Sequence, residues 1–202
     1  MRLSLALCAA VFAAPAFAEP LSPVKTAELS ARLFATGVDL QDPLLILSAA
    51  KLRKALNPVE GNLTTQASGE TPLTWQDMLA AAEPLAEGDD TLTGLIADIR
   101  AESTKGVATG PVYNIGTIGN GKSDTYPSVD FIGGEYAEVY VEAKGATDLN
   151  LTVTDAKGRL VCSDTDRSHI AYCGWRPDRT EAYQIKVENR GPNGTGYALM
   201  TN

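Results

Sequence analysis

Residues 116–123 read GTIGNGKS and fit the phosphate-loop pattern G-x-x-x-x-G-K-[ST] from Gly116 to Ser123. Such a loop works because a strand feeds it, its backbone N–H groups surround the phosphates, and a helix starts at once behind it. Here Lys122 and Ser123 continue into DTYPSVDFIGG, where Pro127 and the β-rich composition oppose a helix. No βαβ unit surrounds the stretch. The expectation is a turn entering the first β-hairpin of a strand-rich half, with no nucleotide as ligand.

The single histidine, His169, lies near Ser163, Ser168 and Asp166, so a Ser-His-Asp triad can be drawn from the sequence. Local proximity is not triad geometry, and no G-x-S-x-G elbow accompanies it. Catalytic zinc calls for more His or Cys than remain. Acidic residues are plentiful, but nothing singles out a pair for glycoside hydrolysis. The chain is therefore expected to be non-enzymatic, with an uncharacterised extracytoplasmic hydrolase as a minor alternative. Trp175, Tyr172, Tyr183 and Tyr197 offer an aromatic binding face, although core packing explains Trp175 and Tyr183 at least as well. Arg176, Arg179 and Arg190 nearby read as a solvated rim or an anionic contact.

The opening MRLSLALCAAVFAAPAFA has one basic residue, an apolar run and small residues at Ala16 and Ala18. That pattern reads as a signal peptide over residues 1–18, cleaved before Glu19, and so predicts a periplasmic or secreted protein. The run is shorter than the roughly 20 residues a membrane span needs, so no stable membrane insertion is expected. Cleavage removes Cys8 and leaves Cys162 and Cys173, an even pair that in an exported chain reads as one disulfide. The formal charge of −8 disfavours nucleic acid and anionic lipid as partners.

Two halves follow, with different hydrophobic periods. Over residues 19–105 the spacing is helical. VKTAELSARLFATG places Val24, Ala27, Leu29 or Ala31, Leu33 and Phe34 near one face, and Gly37 reads as a stop. Asp42-Pro43 caps a second helix with Leu44, Leu45, Leu47, Ala50 and Leu52 apolar, ended by Asn57-Pro58. After a polar link, VEGNLTTQASGE, Thr74 with Asp77 caps a third helix, and Asp89/Asp90 a fourth. A 48-residue shift aligns Asp42 with Asp90, which suggests two related helical hairpins.

Over residues 110–202 the period is two. Ala137, Val139, Val141 and Ala143 alternate with Tyr136, Glu138, Tyr140 and Glu142; Leu149, Leu151 and Val153 alternate with Asp148, Asn150, Thr152 and Thr154. Turn strings IGGE, DAKG and RGPNGTG separate the runs. The fold class read from the sequence is α+β: N-terminal α-helical hairpins followed by a C-terminal antiparallel β-sandwich, jelly-roll-like.

The segments GTIGNGKSDTY, DLNLTVTDAKGRLVCSD and GWRPDRTEAYQIKVENRGPNGTGYAL together give the C-terminal half a recognisable character. About residues 112–202 resemble the bacterial pre-peptidase C-terminal domain, a β-sandwich often appended to secreted proteases. Asn150 stands where a second Asp is common, and the cysteine pair is not a general family feature. No peptidase domain precedes the resemblance, so proteolysis does not transfer. Some members bind Ca²⁺, which needs six to eight oxygen ligands. Asp148 and Asn150, two apart on a strand, with Asp164 and Asp166 in nearby turns, are the candidate ligands here, and no other cofactor is expected. The competing reading makes these solvent-facing and turn residues. The function expected is an exported binding or accessory module acting on a protein or polysaccharide; the alternative is a calcium-stabilised structural or interaction domain.

Overall fold

A computed structural model describes residues 21–63, 72–102, 110–145 and 147–202. The leader and its cleavage point lie outside the described residues. Helix α1 (Pro23–Leu40) starts behind Ser22, whose hydroxyl accepts from the Lys25 N–H. Helix α2 (Pro43–Lys54) has Asp42 as cap, accepting from Leu44 and Leu45 N–H, with Pro43 in the first turn. Helix α3 (Trp75–Ala82) carries the expected reciprocal capping box between Thr74 and Asp77, then runs into a 3₁₀ turn, Glu83–Ala86. Helix α4 (Asp90–Ala101) is capped by Asp89. The 48-residue shift therefore misaligns the two caps by one residue, and the 18-residue α1 has an 8-residue counterpart in α3.

Two helix expectations need correction. Gly37 does not stop α1, which continues to Leu40 and ends on Gln41 in the left-handed region at φ 52°. Gly37 instead lets α2 approach: a Cβ there would stand 2.8 Å from Ile46 Cγ1 and 2.9 Å from the Ile46 backbone N. The buried face of α2 is also rotated, to Ile46, Leu47, Ala49, Ala50 and Arg53, leaving Leu44 55% exposed. Arg53 lies on that buried face, its guanidinium paired with Glu142. Gly37→Ala is expected to destabilise the protein by about 1–3 kcal/mol through overpacking against backbone, read as a lowered urea midpoint with unchanged slope.

The strands form two sheets. One has five strands in the order β1 (Val59–Glu60), β2 (Val112–Ile118), β9 (Thr195–Thr201), β4 (Ala137–Glu142) and β7 (Ile170–Trp175). The other orders β3 (Ser123–Phe131), β8 (Glu181–Asn189), β5 (Leu149–Asp155) and β6 (Leu160–Asp164). Apart from β1 and the β5–β6 hairpin, sequential strands alternate between the two sheets, and all pairings but β1–β2 are antiparallel. The polar link after α2 thus begins as an edge strand, parallel to β2, with the Gly61 N–H donating to the Tyr113 carbonyl at 2.7 Å. The rest of that link, 64–71, lies outside the described residues.

Three apolar clusters hold the fold. The sandwich core fills the space between the sheets with Val139, Val141, Leu151, Val153, Ile185, Val187 and Leu199. A helical core joins α2, α3 and α4 through Ile46, Met78, Leu79 and Ile96. The third cluster lies between them: Val24, Ala27 and Ala31 of α1 pack on Tyr140, Ile170, Ala198 and Met200, the outer face of the five-stranded sheet. Helix α1 therefore covers a sheet face that alternation assigns to solvent. Every residue of β4 is buried, including Glu138 and Glu142.

Candidate functional site

Burying two carboxylates beneath helices requires partners, and Glu142 has a full set. Its Oε1 accepts from Arg53 Nη1 at 2.9 Å and from the Leu73 N–H at 3.3 Å. Its Oε2 accepts from Arg53 Nη2 at 2.8 Å and from the Tyr140 hydroxyl at 2.6 Å. Arg53 also donates to the Ala27 carbonyl and to Ser30 Oγ, which donates to the Ala49 carbonyl. Four parts of the chain meet here: α1, α2, the approach to α3, and β4. Burial alone would push the Arg53 pKa down, but the adjacent Glu142 carboxylate outweighs it and holds the guanidinium above its ordinary range. Burial and the same carboxylate push the Tyr140 phenol well up. Both groups keep fixed protonation states, so the cluster acts as a clamp.

Beside the clamp, above β2 and β9, a cavity of about 290 Å³ opens between the helical layer and the sandwich. Leu56, Leu73, Trp75, Tyr113 and Met200 line it, together with Pro58, Pro72 and Pro111 from three separate segments. Proline has no N–H, so these walls offer few donors. Arg53, Thr74, Gln76 and the Tyr113 hydroxyl are the polar groups at its margin. Thr74 is committed to the capping box and Arg53 to Glu142. Lys54 sits 4.4 Å over the Trp75 ring and donates to the Ile99 and Arg100 carbonyls, holding the indole in place. Sequence reasoning missed this site, because Arg53, Tyr113 and Met200 carry no motif and meet only through the packing of helices on sheet.

The sequence-derived candidates are placed as follows. In GTIGNGKS the glycines have structural tasks: Gly116 lies under the Tyr197 ring, where a Cβ would overlap it, and Gly121 adopts φ 64°. The Lys122 N–H donates to the Gly119 carbonyl and the Gly121 N–H to the Asn189 carbonyl. Asn189, fully buried, donates in turn to the Ile118, Gly119 and Asn193 carbonyls, fastening this turn to the β8–β9 connection. Strand β3 follows where a phosphate loop requires a helix. The turn does not enter a hairpin either, because β2 and β3 belong to different sheets.

Cys162 in β6 and Cys173 in β7 are disulfide-bonded, with Cα atoms 5.8 Å apart. Of the four candidate calcium ligands, Asp148 and Asn150 flank buried Leu149, and the Oδ1 atom of each is shielded from solvent without a hydrogen-bond donor among the described residues. Asp164 is engaged elsewhere: its Oδ2 accepts the Tyr172 N–H at 2.9 Å, on the open edge of β7. Asp166 is exposed, and its N–H donates to Asp164 Oδ1 at 3.4 Å. Among the described residues no group of three or more His, Cys, Asp or Glu side chains is arranged to hold a metal. Asp155 takes the expected turn role, accepting from Lys157 and Arg159 N–H, and the Arg159 N–H holds its pKa below the usual value.

His169 is half-buried, which pushes its pKa down, and among the described residues no hydrogen bond joins it to Ser163, Ser168 or Asp166. Trp175 and Tyr183 pack with Phe131 as edge-to-face rings 4.8–5.9 Å apart, and Tyr197 is buried against Tyr126, so three of the four aromatics are core. Tyr172 alone faces outward, beneath Lys25 at 4.0 Å. Arg179 and Arg190 pair with Glu181 and Glu188.

The chain is thus an α+β protein, a helical layer laid on the outer face of a jelly-roll sandwich that is closed at one edge by a disulfide. No family model and no curated protein matches its sequence. Several solved structures are similar to it. The pre-peptidase C-terminal domain of a collagenase from Bacillus anthracis is 11% identical over 46% of this chain and 89% of that one, with a TM-score of 0.39. PliG, a periplasmic inhibitor of g-type lysozyme from Aeromonas hydrophila, is 13% identical over 50% and 91%, with a TM-score of 0.34. The C-terminal CBM6 of LamC from Zobellia galactanivorans is 12% identical over 42% and 76%, with a TM-score of 0.28. These are likenesses of sheet arrangement, and no residue role or activity is carried over from them. No helix among the described residues is long and apolar enough to cross a membrane.

Proposed function

We propose that this is an exported, non-catalytic binding or accessory protein carrying a pre-peptidase-like sandwich, and that its cavity receives an apolar side chain from a protein partner. The observation that supports the reading is the cavity itself: about 290 Å³, walled by prolines, Trp75, Tyr113 and Met200, with its neighbouring charges already neutralised. That volume suits one or two side chains, and apolar lining with few polar groups is what binding pockets share. A hydrolase would need a nucleophile with a base, or two carboxylates, facing the cavity. The leader sequence and the disulfide support export.

The test uses the chain from Glu19 onward with Trp175→Phe, which leaves Trp75 as the single tryptophan. Titration with extended peptides bearing Leu, Met or Phe is expected to shift Trp75 emission saturably, and Leu56→Arg is expected to abolish the shift. Peptides that leave Trp75 unmoved, or that act equally on the Leu56→Arg protein, would overturn the reading.

A calcium-stabilised domain is the second reading, favoured by the two orphaned acceptors Asp148 Oδ1 and Asn150 Oδ1. Those two atoms suit a hard cation, whereas Asp164 and Asp166 do not join them. A site here would draw its other oxygens from backbone and water. Millimolar Ca²⁺ is expected to raise the melting temperature, a chelator to reverse it, and Asp148→Ala to remove the response. A melting curve indifferent to Ca²⁺ removes this reading and leaves the first untouched.

A further inference from the structure

A second concavity lies over the β4–β7 half of the same sheet, where the start of α1 crosses it, and encloses about 550 Å³. Its floor is Glu138, 2% exposed. The Glu138 carboxylate accepts from the Tyr172 hydroxyl at 2.7 Å and, among the described residues, forms no ion pair. Burial and that bond push the Tyr172 phenol up, so it remains a donor. The Tyr136 and Tyr172 hydroxyls converge over Gly174, where a Cβ would stand 2.8 Å from Tyr172 Oη and closer still to Tyr136 Oη. The Tyr136 ring is 47% exposed. Asn202 is fixed at the rim: its Oδ1 accepts the Glu138 N–H at 2.9 Å and its Nδ2 donates to the Tyr136 carbonyl at 2.6 Å. Lys25 and Arg176 also line it, Lys25 paired with Glu28 and Arg176 donating to the Gly134 carbonyl, with Leu21 and Ser22 at the margin.

The composition of this groove selects among ligand classes. A buried carboxylate with one hydroxyl donor has further acceptor capacity, so an apolar occupant would desolvate it without compensation. A cationic ligand would meet Lys25 and Arg176; a strongly anionic one would meet Glu138. A polyol satisfies both signs, giving hydroxyl hydrogens to Glu138 and hydroxyl oxygens to Lys25, Arg176 and Asn202. The exposed Tyr136 ring supplies an apolar face against which the C–H side of a pyranose can lie.

We infer that the groove over Glu138, rimmed by Tyr136, Tyr172 and Arg176, is a binding site for a neutral saccharide unit. It is separate from the cavity at Trp75 and does not depend on that cavity's role. The test is calorimetric titration of the chain from Glu19 onward with cellohexaose, chitohexaose, laminarihexaose, xylohexaose and mannohexaose. At least one is expected to bind saturably, with affinity falling at least tenfold in Tyr136→Ala and in Glu138→Gln and unchanged in Leu56→Arg. Tyr136 is exposed, so its variant stays folded even if Glu138→Gln does not, and melting curves establish this. Absence of binding across the five sugars, or binding that Tyr136→Ala leaves unchanged, would overturn the inference.

Discussion

Glu142→Ala is expected to destabilise the protein by about 3–5 kcal/mol, the range for removing one partner of a buried ion pair. The variant leaves Arg53, 5% exposed, charged and without its carboxylate. It also strands two further donors, the Tyr140 hydroxyl and the Leu73 N–H, which have been accepted by the same two oxygens. Titration gives no relief, because Arg53 cannot shed its proton in any accessible range. Glu142→Gln retains one acceptor and the shape of the side chain, so a smaller loss is expected. The double variant Arg53→Met/Glu142→Leu removes both charges together and is expected to recover most of the stability, since well-packed apolar replacement of a buried pair is often neutral or stabilising. Urea unfolding followed by far-UV circular dichroism and tryptophan emission distinguishes these outcomes. In Glu142→Ala on a Trp75→Phe background the helical signal is expected to fall at lower urea than the emission of Trp175 packed on the sandwich core, because the clamp ties α1 and α2 to β4. A loss under about 1 kcal/mol in Glu142→Ala would mean that apolar packing alone docks the helices.

The same clamp marks where sequence reasoning reached its limit. Elements set by local chemistry were legible: the Asp42 cap, the Thr74–Asp77 box, the alternation of β5 and β8, and the Asp155 turn all do what their residues imply. Glu138, Tyr140 and Glu142 also alternate as a polar strand face should, and that pattern reads as solvent. It is not solvent, because α1 lies across it with Val24, Ala27 and Ala31, a coupling between residues more than a hundred positions apart that no window of sequence contains. Arg53 reads as one more surface cation on α2 for the same reason. A strand whose polar face carries a tyrosine between two carboxylates is the one local sign, and it does not separate a covered face from a wet one.

Turns posed a related difficulty. A short Gly-containing connection such as Gly119–Lys122 can close a hairpin or cross between sheets, and local residues do not choose; the choice falls to β9 and β8, which pair with β2 and β3 in different sheets. The candidate calcium ligands divide along the same line. Asp148 and Asn150 each keep a shielded Oδ1 without a partner among the described residues, whereas Asp164 is drawn to the Tyr172 N–H of β7, a demand visible only once the two sheet edges face each other. The two concavities likewise arise from distant segments: the Trp75 cavity where the end of α2 and the approach to α3 meet β2 and β9, the Glu138 groove where the start of α1 meets β4 and β7.

Removing the disulfide, as Cys162→Ala/Cys173→Ala, is expected to lower stability by roughly 3 kcal/mol, the chain-entropy value for a loop of this size. The bond joins residues 11 apart in sequence, and it does so across sheets: β6 is the edge of the four-stranded sheet and β7 the edge of the five-stranded one. Without it the unfolded chain regains the freedom of that loop, while the native state loses the covalent seam on one side of the sandwich and the packing of fully buried Cys173. For a chain of this length the change corresponds to a melting temperature lower by about 6–12 °C. The effect should also have a place. The Tyr172 N–H, held by Asp164 of β6, is expected to exchange faster in the double variant, whereas amides of the central strands β9 and β8 keep exchange set by global unfolding. Reduction of the unaltered protein with dithiothreitol is expected to reproduce the shift, separating the loss of the bond from the loss of two sulfur atoms. A double variant that melts within about 2 °C of the parent would show that contacts between β6 and β7 already restrict the loop before folding, as residual structure in an unfolded chain can do.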